Sequence, residues 1–308
     1  MLSSLVLGKA LFLGSGVFLT KWFCERMFDP IRNLWDGINF DYKIEKCKKT
    51  KYGWNLLVWC TNGGNYDDFI RYKGSIEKIY GVRAFIKDVP YSDNIEMDLV
   101  KLDFDLEYKK INLSPYELLV GYSSKGKPII CDMKVTPHLG VVGISNNGKS
   151  KCVELMLNNL DGVDIDILNA MDDDYTNVKC RRINGNDDIL DYLYYLTHEE
   201  NKRERPLYVV IDEYNVLSNL DGLDEAIEDL LRQARHRNVF VIVIGQQMDK
   251  ESCNFKNLFN SRLCFKQLSP VQYYSFLGIT VDEPHLKQRE FYFQHTEFIR
   301  GKSFKIIK

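Results

Sequence analysis

No two cysteines of this chain stand at C-x-x-C spacing, and its 8 cysteines and 5 histidines nowhere gather with the ligand spacing of a zinc site. A structural zinc module is thereby excluded. The scattered Cys24, Cys47, Cys60, Cys131, Cys152, Cys180, Cys253 and Cys264 do not read as a disulfide framework, and a reducing cytosol suits them. Charge of one sign is lacking too. Against 41 Lys and Arg stand 43 Asp and Glu, so no global field draws the chain to nucleic acid, and any such contact relies on local patches or an assembled ring. H-x-x-x-H is absent, which disfavours a metal hydrolase, and no G-x-S-x-G elbow signals a serine hydrolase. Internal repeats and low-complexity segments are missing as well. What remains is 308 residues, enough for one or two domains with a sizeable core.

The first segment is unlike the rest. Residues 2–23, LSSLVLGKALFLGSGVFLTKWF, carry only Lys9 and Lys21 as charges, and their length meets the ~20 residues of a spanning helix. Lys9 can snorkel near one end but is costly at mid-bilayer. A membrane anchor over residues 1–28, spanning or interfacial, therefore stands beside an apolar helix docked on protein. With Lys21 and Arg26 after it, an anchor leaves the remaining chain at the cytoplasmic face of the cell membrane.

A small α+β domain is expected over residues 41–115. It opens on the basic run KIEKCKKTK, residues 43–51, which reads as a solvated linker. WNLLVWC (54–60) is a buried strand and TNGGN a turn. Phe69, Ile70, Ile76 and Ile79 recur at helical spacing, and VRAFI (82–86) is a strand. Alternation at Ile95, Met97 and Leu99 predicts a further strand with one face exposed.

Beyond residue 117 the chain alternates strands and helices. HLGVVG (138–143), VDIDIL (163–168), LYVVID (207–212) and VFVIVIG (239–245) are strands, the last two so continuously apolar that both faces must be covered, as in a parallel sheet between helices. Between the first of them and a helix with Val153, Leu155, Met156 and Leu160 on one side lies GISNNGKS. Gly143, Gly148, Lys149 and Ser150 complete G-x-x-x-x-G-K-[ST] in strand, loop, helix context. Such a loop cradles phosphates with backbone N–H groups. Lys149 reaches the β- and γ-phosphates of ATP, and Ser150 ligates Mg²⁺. Ser145, Asn146 and Asn147 fill the loop, and asparagine tolerates a positive φ best among non-glycine residues.

YVVIDEY supplies the partner. Asp212 ends an apolar strand and would hold the magnesium through water, and Glu213 would orient or polarise the attacking water. Gln246, at the end of the next strand, is placed to sense the γ-phosphate. Candidates for an arginine finger from a neighbouring subunit are Arg235, Arg237 and Arg262, the first two also suited to offset a helix dipole. MDDDY (171–175) reads as a solvated acidic loop, and His138 as a residue that satisfies backbone groups.

Four blocks in order, ELLVGYSSKGKPIICDMKVTPHLGVVGISNNGKS, LYVVIDEYNVL, LLRQARHRNVFVIVIGQQ and NLFNSRLCFKQLSPVQYYSFLG, resemble the motor of the FtsK/SpoIIIE branch of FtsK–HerA DNA translocases. Residues 54–103 look like the small domain that precedes the motor in TcpA-type conjugation coupling proteins. The resemblance implies a RecA-like P-loop NTPase core with a mainly parallel sheet over residues 117–308, preceded by the small α+β domain and the apolar N-terminal helix. It implies a homo-hexameric ring that uses ATP and Mg²⁺ to move double-stranded DNA without reading its sequence. It also implies Lys149 and Ser150 for ATP and Mg²⁺, Asp212 and Glu213 for metal and water, Gln246 as sensor and Arg262 as trans finger. The loop departs from the family in Ser145, Asn146 and Asn147, and a β-rich tail stands where sequence-reading relatives carry a winged helix. The expected role is that of a coupling protein for a mobile element, working with a relaxase or other transfer proteins. Genome packaging, protein secretion and a non-processive recruitment module at the membrane are the alternatives.

Overall fold

A computed structural model describes residues 41–50, 53–61, 64–101, 105–248, 253–281 and 285–305. The expected anchor, residues 1–28, lies outside them. Among the described residues no helix is long and apolar enough to cross a membrane. The chain divides into two compact units, one comprising Met1–Phe104 with Ser124–Gly126, the other Asp105–Ser123 with Lys127–Lys308.

In the first unit, β1 (Asp41–Lys49), β2 (Gly53–Thr61), β3 (Val82–Asp88) and β4 (Asn94–Lys101) form an antiparallel sheet in the order β1-β2-β4-β3. Helix α1 (Tyr66–Tyr80) starts at a capping box between Asn65 and Asp68 and stops at Gly81, whose φ of +58° a side chain would strain. Phe69 and Ile76 of α1 meet Leu56, Val58, Ala84, Met97 and Leu99 in one core. Two expectations change. The basic run is not a linker but the edge strand β1. A bulge between Ile44 and Lys46 shifts its register, so that Tyr42, Ile44 and Cys47 all pack on the core while Lys43, Lys46, Lys48 and Lys49 face solvent. Lysines on an edge also oppose pairing with further strands. The second face of β4 is covered at Asp98 and Val100, both buried; the Asp98 carboxylate accepts from Asn55 Nδ2 at 2.7 Å and pairs with Lys125.

The second unit is built on ten strands: β5 (Glu117–Ser123), β6 (Pro128–Asp132), β7 (Leu139–Val142), β8 (Asp164–Leu168), β9 (Arg181–Ile183), β10 (Leu207–Ile211), β11 (Val239–Gly245), β12 (Ser261–Phe265), β13 (Glu290–Gln294) and β14 (Phe298–Lys302). Their order is β6-β5-β14-β13-β12-β7-β11-β10-β8-β9. The run from β12 to β9 is parallel throughout. From β12 to β6 every pairing is antiparallel; two of these pairs, β5–β6 and β13–β14, are hairpins whose short turns admit nothing else. Where β5 and β14 meet, an added Cβ at Gly121 would lie 2.5 Å from the Lys302 carbonyl oxygen and 2.9 Å from the ring of Phe291, and one at Gly301 would lie 2.6 Å from the same ring and closer still to Ile129, so no side chain fits at either.

Side-chain alternation sorts the parallel strands between two cores. Leu207, Val209 and Ile211 of β10 and Val239, Val241 and Val243 of β11 face α3 (Asn186–His198) and α5 (Leu223–Gln233). Tyr208, Val210, Phe240, Ile242 and Ile244 face α2 (Lys149–Asn159). Short α4 (Tyr214–Leu217) follows β10, and α6 (Pro270–Leu277) follows β12 behind a Ser269–Gln272 capping box. Arg237, in the 3₁₀ turn Ala234–Arg237, donates from Nη1 to the carbonyls of Leu196 (2.6 Å), Thr197 (3.0 Å) and Glu199 (2.6 Å). It thus serves a helix C-terminus as expected, but that of α3 rather than of the helix it follows.

His138 fills its expected part. It is 2% exposed, adopts a φ of +66°, and its Nδ1 accepts the Val241 N–H at 3.2 Å. Burial pushes its pKa down from 6.5 to about 4. The unfolded chain thus binds a proton that the folded chain refuses, and stability is lost as pH falls from 6.5 towards 4, by roughly 3 kcal/mol at the limit. His138→Asn keeps an acceptor, tolerates the left-handed backbone and cannot titrate. Its denaturation midpoint is expected to vary less between about pH 7 and pH 5 than that of the wild type, and equal slopes would refute this assignment.

Candidate nucleotide site

The carboxyl ends of β7, β11, β10 and β8 are neighbours, and open α/β sheets bind ligands at that edge. β11 lies between the strand that enters the GISNNGKS loop and the strand that ends in Asp212, so Gln246 falls between them. The sheet therefore brings Gly143–Ser150, Asp212, Glu213 and Gln246 to one place.

The loop is shaped by positive φ at Gly143 (+154°), Asn146 (+61°) and Gly148 (+94°). A Cβ at Gly143 would lie 2.6 Å from the Cβ of Phe265. Asn146 takes the left-handed position that its residue type tolerates, and Asn147 Nδ2 donates to the Ser145 carbonyl at 3.0 Å. Three further bonds fix the loop from outside: Ile144 N–H to Lys266 O (3.0 Å), Arg289 N–H to Asn147 O (3.1 Å) and Gln288 Nε2 to Asn146 O (3.1 Å). α2 then begins at Gly148 with no side chain capping it. An uncapped helix start behind a glycine is open to an anion, and its N–H groups and dipole favour phosphate.

Lys149 is 5% exposed, and its Nζ donates to the Ile144 carbonyl at 3.3 Å. Burial pushes its pKa down, opposed by the carboxylates of Glu213 and Asp212. Asp212 is 1% exposed; burial raises its pKa to about 6 against hydrogen bonds that hold the ionised form. Oδ1 accepts the Glu213 N–H at 2.9 Å and Oδ2 the Tyr175 hydroxyl at 2.8 Å. Glu213 itself adopts a left-handed φ of +48°. Uncommon backbone geometry gathers here, since Asn146, Asn169, Tyr175 and Glu213 all have positive φ. The oxygen donors Ser150 and Asp212, beside a phosphate cradle, are the kind Mg²⁺ takes.

Three contributions escaped the sequence reading. Asn215 Oδ1 accepts the N–H of Gln246 at 2.6 Å and its Nδ2 donates to Gln247 O at 2.9 Å, pinning the end of β11 to the turn after Glu213. A Cβ at Gly245 would lie 2.7 Å from that Oδ1, which explains the glycine. Arg289 reaches the loop from the tail. In the acidic loop, Met171, Asp172 and Asp173 are exposed as expected, but Tyr175 is buried against Asp212. No sequence-local signal marks these partners, which lie from 31 to 142 residues away.

Arg262 stands elsewhere. It pairs with Gly140 near the amino end of β12, about 10 Å of strand before the phosphate loop. Nη1 donates to Phe276 O at 2.8 Å and Nη2 to Lys256 O at 3.3 Å. Arg235 is exposed at the same edge, before β11. Neither faces the phosphate loop of its own chain.

The loop geometry generates a contrast. Gly143→Ala should destabilise the second unit by about 1–3 kcal/mol and lose nucleotide binding, because Phe265 occupies the space a methyl needs. Asn146→Gly, which accepts the same φ, should stay within about 1 kcal/mol of wild type. Denaturant midpoints and titration with a fluorescent ATP analogue check both.

No protein-family profile and no curated protein match the sequence. Solved structures do match. The conjugation coupling protein TcpA of pCW3, in a monomer form with ATPγS, superposes with a TM-score of 0.60 at 14% identity, over 94% of this chain and 94% of that one. The cytoplasmic domain of the type VII secretion ATPase EccC of Thermomonospora curvata gives 0.53 at 15% identity over 66% of this chain and 32% of its own. ATPases 2 and 3 of EssC from Geobacillus thermodenitrificans give 0.53 at 16% identity over 82% and 55%. The chain thus has the fold of TcpA and of the EccC and EssC ATPases.

Proposed function

We propose that the chain is an ATP-driven motor that moves double-stranded DNA, acting as a coupling protein in the transfer of a mobile element. The observation that carries the ATPase part is the meeting of an uncapped phosphate loop, Lys149, Ser150, Asp212 and Glu213 on one sheet edge. For the coupling role the support is the extent of the likeness to TcpA, which takes in both units, whereas EccC and EssC are matched over 32% and 55% of their lengths.

In this reading the backbone of Gly143–Ser150 and the start of α2 hold the phosphates, and Lys149 neutralises the charge that develops on them. Ser150 and Asp212 would hold Mg²⁺, which would supply charge neutralisation to the phosphates. Glu213, fixed in a left-handed turn beside Asp212, orients and polarises the attacking water. Gln246, set by Asn215, responds to loss of the γ-phosphate. Arg262 and Arg235 lie at the opposite strand ends, so a finger from either serves a neighbouring subunit of a hexameric ring; Arg262 would first release two carbonyls. In this reading the grip on DNA is to phosphates, without base readout. The anchor, residues 1–28, would hold the ring at the inner face of the membrane, near a relaxase or other transfer proteins.

A second reading is protein secretion, favoured by the likeness to EccC and EssC. ATP turnover by the full chain with and without double-stranded DNA, over a range of salt, separates the two. The motor reading expects DNA to stimulate turnover, and stimulation to fade with salt. Lys149→Ala should lose nucleotide binding, and Glu213→Gln should bind ATP yet hydrolyse it about 100-fold more slowly or worse. Turnover indifferent to DNA at every salt concentration would favour secretion.

A further inference from the structure

Residues 169–178, after β8, form the loop that brings Tyr175 under the site. We propose that Tyr175 is a positioning residue for the metal: its hydroxyl holds Asp212 and sets how that carboxylate presents its oxygens. The inference rests on the reading of this edge as a Mg²⁺-nucleotide site.

The hydroxyl donates to Asp212 Oδ2 at 2.8 Å. A carboxylate only accepts, so the phenol proton points to Asp212. Asp212, its other oxygen held by the Glu213 N–H, is fixed in rotation by the same contact.

The surroundings hold Tyr175 where this requires. It is 1% exposed and has a φ of +56°, a conformation that costs an aromatic residue about 1–2 kcal/mol and persists only under constraint. Arg182 supplies that constraint, donating from Nη1 to the carbonyls of Met171 and Asp172 (3.3 Å each) and from Nη2 to that of Asp174. The Val178 N–H closes the turn on Tyr175 O at 3.0 Å. Asn169 Nδ2, at the start of the loop, donates to the Asp212 carbonyl at 3.1 Å. A ring alone would fill the space; the oxygen is what reaches Asp212.

Tyr175→Phe tests the inference in the full chain, with a fluorescent ATP analogue titrated at increasing Mg²⁺ and again in EDTA. Groups that orient metal ligands are commonly worth about 10- to 100-fold in metal affinity. The Mg²⁺ concentration at half-effect is therefore expected to rise about tenfold or more, with the affinity in EDTA within about twofold of wild type. A Mg²⁺ curve that overlays the wild type, or an equal loss with and without Mg²⁺, overturns the proposal. Tyr175→His, which keeps a ring donor, should recover part of the Mg²⁺ response, and it carries the test against wild type if the Phe variant does not fold. A loss from His as large as tenfold would then count against the proposal. Wild-type binding that ignores Mg²⁺ refutes the underlying reading, and needs no variant to be recognised.

Discussion

A carboxylate at the end of a strand covered on both faces costs free energy to ionise, and the second unit is arranged around that cost at Asp212. Burial raises its pKa to about 6, in spite of hydrogen bonds to both oxygens. Lys149 is the complementary case, a buried ammonium whose loss of solvation is opposed by Asp212 and Glu213. Each buried charge is tolerable because the other is near. The pair is thus set to receive phosphates and a cation together, which restore to the site the counter-charges that water supplies at a surface.

Holding these groups in place consumes backbone freedom. Asn146, Asn169, Tyr175 and Glu213 depart from the ordinary backbone regions, each beside a functional oxygen or nitrogen. Strain of about 1–3 kcal/mol per residue persists only where neighbours over-determine the geometry. The neighbours are identifiable: Arg182 for the loop of Tyr175, Asn215 for the segment after β11, the tail for Asn146.

What could be read from the sequence is what lies within one turn or one strand. The phosphate loop, the Asp212–Glu213 pair, the strands around them and α1 have spacing that is complete over about ten residues. Tyr175 was hidden in an acidic loop because its partner is 37 residues away, and Asn215 because Gln246 is 31 residues away. The edge strand β1 was hidden for another reason. Its bulge sets two inward residues, Ile44 and Cys47, three apart, so strict alternation fails and the lysines dominate the pattern. Arg262 too has a part that its local pattern does not show, since its guanidinium holds the Phe276 and Lys256 carbonyls.

The antiparallel half of the sheet has a part in the cradle that its distance in sequence conceals. Gln288 and Arg289 reach the loop just before β13, and Arg289 itself is held by Asp105 at 2.9 Å, which also pairs with Lys302 of β14 at 2.5 Å. Burial alone would raise the pKa of Asp105, but the two cations outweigh it and keep the carboxylate ionised. A loop with asparagine at 146 and 147 lacks some of the freedom that glycine provides, and it receives in exchange two bonds to those carbonyls and one from the Asn147 side chain. The tail thereby becomes a wall of the phosphate site. A loop stiffened from outside has little left to order when a ligand arrives, so asparagine at these positions need not weaken a phosphate site.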